Sequence, residues 1–87
     1  MTVETTTRIW REGKHFIAHA LPLDVASSGD SPDEARRALQ EAIELFLATA
    51  REHGTLEDVL EECGYSLDDG SWKAPQIVAE RRDVVTV

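Results

Sequence analysis

Residues 29–54 read GDSPDEARRALQEAIELFLATAREHG, and this stretch decides the fold. Ser31 is a good N-cap, Pro32 falls at the first helical position, and Glu34 sits three residues after the cap, completing a capping box. Ala35, Ala38, Leu39, Ala42, Ile43, Phe46, Leu47 and Ala50 recur at the three-and-four spacing of one buried helical face. Gly54, after His53, supplies the left-handed residue that ends the helix. From Pro32 to His53 such a helix spans about 33 Å at roughly 1.5 Å per residue, enough to cross a small sheet.

Upstream, the chain is β-prone. Thr2–Glu12 is rich in Thr and carries Val3, Ile9 and Trp10, and Glu12-Gly13-Lys14 is a tight turn. His15–Leu21 (HFIAHAL) then returns as the second strand of a hairpin. Alternation puts Phe16, Ala18 and Ala20 on one face, where the small alanines let a helix lie close, and His15, Ile17, His19 and Leu21 on the other. Pro22-Leu23-Asp24 breaks the ladder, and Val25–Ser28 forms a short third strand before the helix.

Downstream, Thr55 opens a second capped helix, TLEDVLEECG, with Leu56, Val59, Leu60 and Cys63 at helical spacing and Gly64 as its stop. Tyr65–Pro75 reads as a loop with a turn at Asp69-Gly70, and Ile77–Val87 (IVAERRDVVTV) reads as a final strand. The expectation is a single α+β domain over residues 1–87, ordered β-β-β-α-α-β. Three antiparallel strands plus a C-terminal strand pack on one long and one short helix. With the last strand parallel to the first, a right-handed crossover predicts the spatial order third, second, first, last, with both helices on one face.

Composition restricts the function classes. The 87 residues carry nine Lys and Arg against 17 Asp and Glu, a formal net charge of −8. Arg36, Arg37, Arg51, Lys73, Arg81 and Arg82 are interspersed with acids, so direct nucleic-acid binding is not expected. The acidity suits a basic partner. Cys63 is the only cysteine, so neither an internal disulfide nor a cysteine-based zinc site is available. MTVETTTRIW has no signal-peptide character, and no apolar run reaches the ~20 residues of a membrane span. A cytoplasmic protein without membrane association is expected.

No residue pattern points to chemistry. His15 and His19 are four apart, which on a strand is about 13 Å at roughly 3.3 Å per residue, too far to share a metal ion. Asp30 and Asp33 suit the positive end of the helix dipole, and Asp33 lies one turn before Arg37. Ser27, Ser28 and Ser31 lack a nucleophile elbow, and Asp68-Asp69-Gly70 lacks the alternating ligands of a calcium loop. Cys63 lies on an apolar helical face and reads as packing. No catalytic residue, cofactor or metal is expected.

Residues 8 to about 54 resemble the HicB-like antitoxin family. The resemblance rests on Phe16-Ile17-Ala18, Ser27-Ser28-Gly29-Asp30-Ser31, Glu34-Ala35 and Glu41-Ala42-Ile43-Glu44-Leu45. Leu23-Asp24-Val25 stands where the family usually has Pro-Gly-Cys, and Tyr65–Val87 is too short for the family's DNA-binding module. The resemblance implies a partial RNase H-like fold, no catalysis, and a sequestering domain without the operator-reading one. Three readings follow: a protein that neutralises a small basic RNA-cleaving toxin and self-associates, an orphan homo-oligomeric module (dimer or tetramer) with no toxin, or a degenerate metal-dependent nuclease. The candidate protein-interface residues are Trp10, Ile17, His19, Leu21 and Trp72, on the sheet face away from the helix or at its edges.

Overall fold

The helix begins where its capping residues place it. In the computed structural model, which describes residues 1–87, Pro32–Glu52 form α1. The Ser31 hydroxyl accepts from the Glu34 amide at 3.1 Å, and the Glu34 carboxylate reaches back to the Asp30 amide at 3.0 Å. The return bond therefore falls one residue before the cap. At the other end Gly54 turns left-handed (φ +71°), and the Thr55 amide donates to the Ala50 carbonyl at 2.9 Å.

Before α1 lies an antiparallel meander of β2 (Thr6–Glu12), β3 (His15–Leu21) and β4 (Val25–Gly29), after a short β1 at Thr2–Val3. The small face of β3 does what its alanines suggest: Ala18 and Ala20 are fully buried against Ala35 and Leu39 of α1. Gly29 ends β4 directly beneath the first helical turn, where a Cβ would come within 2.6 Å of the Ala35 nitrogen.

At about 31 Å, α1 is longer than a seven-residue strand of about 23 Å, so the sheet alone cannot cover it. Its C-terminal half packs on a second cluster of Leu23, Ala50, Leu56, Leu60, Tyr65 and Trp72, and Ile43 borders both clusters. Leu56 and Leu60 come from the short helix α2 (Leu56–Glu62). Thr55 precedes α2 without capping it; its hydroxyl donates instead to the Ala50 carbonyl at 3.3 Å. Phe46, expected on the buried stripe, belongs to neither cluster and is 36% exposed.

The C-terminal third departs from expectation. Residues read as a loop form a hairpin, β5 (Ser66–Asp68) and β6 (Ser71–Lys73), turning at Asp69-Gly70, where both residues have positive φ. β6 runs parallel to β1, pairing Thr2 with Ser71 and Val3 with Trp72. A late strand does lie parallel to the start of the chain, but it is Ser71–Lys73. Ile77–Val87 forms no strand. Pro75 has no N–H to continue the ladder, and the Ala74 amide is taken by the Glu4 carboxylate at 2.9 Å. The result is two three-stranded sheets, ordered β2-β3-β4 and β1-β6-β5.

Candidate protein-binding face

α1 covers one side of the meander and leaves the other open. Strand register places Thr6, Arg8, Trp10 and Glu12 of β2 on the open side, opposite Leu21, His19, Ile17 and His15 of β3. Of the five candidate interface residues, the structure brings Trp10, Ile17, His19 and Leu21 together here. Trp10 stands directly across from Ile17 and packs edge-on against His19, with ring centroids 6.2 Å apart at 69°. Its indole N–H donates to the Glu12 carboxylate at 3.0 Å. Trp10 remains 42% exposed, an uncommon position for so large an apolar surface.

Trp72 does not belong to this face. It is 3% exposed in the core between α2 and the β5–β6 hairpin, and its place in the candidate interface is corrected accordingly. Sequence alone read Tyr65–Pro75 as a loop, and a loop tryptophan has no assigned face. The parallel pairing of Val3 with Trp72 fixes it inward.

The titratable groups on and around the open face form separate pairs. His19 Nε2 lies 2.6 Å from Asp24 Oδ1, and His15 Nδ1 lies 3.3 Å from Asp30 Oδ1. Asp24 holds its carboxylate there from a left-handed turn (φ +60°), a conformation aspartate tolerates better than most side chains. The two histidines thus engage different carboxylates at opposite ends of β3, and no group of three or more His, Cys, Asp or Glu converges as a metal site would need. Asp33 meets Arg36 at 3.5 Å, one residue earlier than the expected Arg37.

The acid excess lies mainly on the helices. Glu57, Asp58, Glu61 and Glu62 are all exposed on α2, whose last turn has no basic residue, and none of the four forms an ion pair. On a sequence strip these acids read as the solvated side of an amphipathic helix; their grouping is visible in the spacing, their lack of partners is not. Away from both surfaces, Tyr65 is buried beneath the N-terminal strand. Burial, followed by the charges of Cys63 and Glu4, pushes its phenol up to about 12. Its hydroxyl donates to the Glu4 carbonyl.

No helix is long and apolar enough to cross a membrane. Compared with known proteins, the chain matches no family model, no curated protein and no solved structure.

Proposed function

We propose that this domain is a non-catalytic, HicB-like protein-binding module of the cytoplasm that neutralises a small basic RNA-cleaving toxin and self-associates as a dimer or tetramer. The observation that carries the reading is the unpaired acidic surface of α2: Glu57, Asp58, Glu61 and Glu62 offer four exposed carboxylates, none of which forms an ion pair within its own chain. A cationic partner is steered toward such a surface and has no internal ion pair to break on arrival. The HicB-like character of the proposal rests on the sequence resemblance of residues 8 to about 54.

The test is affinity capture from native cells, followed by expression of any small basic protein recovered. A protein that cleaves RNA and arrests growth alone, and is silenced by this chain but not by a Glu57→Lys, Glu61→Lys variant, supports the proposal. Repeated recovery of this chain by itself overturns it.

A second reading, an orphan homo-oligomeric module without a toxin, is favoured by the exposed Trp10, the apolar Ile17 opposite it and Leu21 further along the same face. That reading expects self-association at micromolar concentration and no basic partner. The nuclease reading has the least support, since the carboxylates do not converge.

A further inference from the structure

This molecule contains both an unpaired strand edge and an unpaired β-prone segment. β2 pairs only with β3, so the other edge of Thr6–Glu12 has no strand partner, and no backbone hydrogen bond from a turn or loop reaches it. This edge is seven residues long and contains no proline, whereas the competing edges, β4, β5 and β1, have five, three and two residues. Its charges, Arg8, Arg11 and Glu12, are of mixed sign and so give little repulsion against a further strand. Between the N-terminal strands and the flank of α1 runs an open groove of about 330 Å³. Val3, Leu39 and Ile43 give it apolar walls, and Thr7, Arg36 and Glu44 are part of its polar lining. A strand laid along β2 at the ordinary spacing of about 4.8 Å would roof this groove.

Residues 77–87 are exposed throughout and make no backbone hydrogen bond. The segment leaves the domain on the open-face side, where Ile77 shares a small apolar niche with Thr6, Leu21 and Pro22, and Glu80 pairs with Arg8. Beyond that contact Val84 and Val85 stand 96% and 78% exposed, so the run Val84-Val85-Thr86-Val87 finds no cover on its own domain. Glu80 is the last residue of the segment held to the sheet by an ion pair, and the β-branched run beyond it is left without a strand partner.

We infer that Val84–Val87 of one copy adds as a strand to the open β2 edge of a second copy, and that a two-fold axis makes the exchange reciprocal. Alternation puts Val85 and Val87 into the groove against Leu39 and Ile43, and Val84 and Thr86 on the side of Trp10. This rests on the self-association in the function proposed above and supplies its contact element; it is independent of any toxin.

The test is sedimentation of the full chain at micromolar concentration, beside two variants. Val85→Asp with Val87→Asp disables the donated strand, and Ile9→Lys places a charge on the accepting edge. All three positions are at least partly exposed, so circular dichroism should show each variant folded. Each variant alone should self-associate at least about 100-fold more weakly. An equimolar mixture of the two should recover a heterodimer, because one intact segment and one intact edge remain. A strictly monomeric full chain overturns both this inference and the self-association reading. A dimer of unchanged affinity in Val85→Asp, Val87→Asp overturns the inference alone.

Discussion

The phenol of Tyr65 donates its proton to the backbone carbonyl of Glu4, 61 residues earlier in the chain. This bond ties the connection between β1 and β2 to the segment between α2 and β5, and Glu4 is held from other directions as well. Its amide donates to the Trp72 carbonyl at 3.0 Å, and its carboxylate receives the Ala74 amide and lies 3.6 Å from Lys73. The N-terminal strand, the hairpin and the short helix are therefore coupled at one residue.

Tyr65→Phe keeps the packing and removes the donor, which should cost about 1–2 kcal/mol in urea denaturation. The pH dependence has a definite sign. Burial raises the folded-state phenol from 10.0 to about 12, so its contribution is intact below pH 10 and is lost as pH rises through about 12. Tyr65 is the only tyrosine. Ultraviolet titration of phenolate absorbance should thus show a midpoint near 12 in the folded chain and near 10 in urea. A folded midpoint at 10 would show that the hydroxyl is free in water.

Gly29→Ala should destabilise the domain by about 1–3 kcal/mol, measured by urea denaturation. The added Cβ would meet the Ala35 nitrogen at 2.6 Å and the Glu34 carbonyl carbon at 2.9 Å. Both are main-chain atoms of the first helical turn, so relief requires moving the helix off the sheet. Gly70→Ala, with open space around its Cβ, tests a different cost: only the left-handed φ of +78° opposes it.

Two leucines separate packing from sequence pattern. Leu60 is fully buried on α2, and Leu60→Ala should cost about 2–5 kcal/mol. Leu45 is 70% exposed on α1 despite its apolar neighbours, and Leu45→Ala should change stability by less than about 0.5 kcal/mol. Thermal unfolding of the two variants under one condition checks the contrast.

The two tryptophans should report on different events. Trp72 is buried and Trp10 is not, so iodide should quench Trp10 fluorescence in dilute protein and leave Trp72 largely untouched. Trp72→Ala should cost about 3–5 kcal/mol, whereas Trp10→Ala should leave stability nearly unchanged. Raising the protein concentration should protect Trp10 from iodide wherever the open face is covered by a second copy.

Much of this architecture is legible in the chain itself, because local chemistry and global packing agree over residues 6–62. Ser31, Pro32 and Glu34 start α1 and Gly54 ends it, since capping depends on groups within a few residues of one another. The alternation in HFIAHAL separates a helix-facing side with Ala18 and Ala20 from an open side with Ile17, His19 and Leu21, and the register bears that division out. The late residues resist such reading. IVAERRDVVTV has the β-propensity of a strand and YSLDDGSWKAP the composition of a loop, yet the second supplies β5 and β6 and the first supplies none. Propensity measures what a residue tolerates, whereas a strand also needs a partner, and the burial of Trp72 holds Ser71–Lys73 against β1. The sequence by itself thus determined the capped helix, the meander and the two faces of β3, all set by contacts near in the chain. Only the tertiary structure decided which tryptophan faces water, which late segment pairs with the N-terminus, and which edge of the sheet stays open, because each depends on residues some sixty or more positions apart meeting in space.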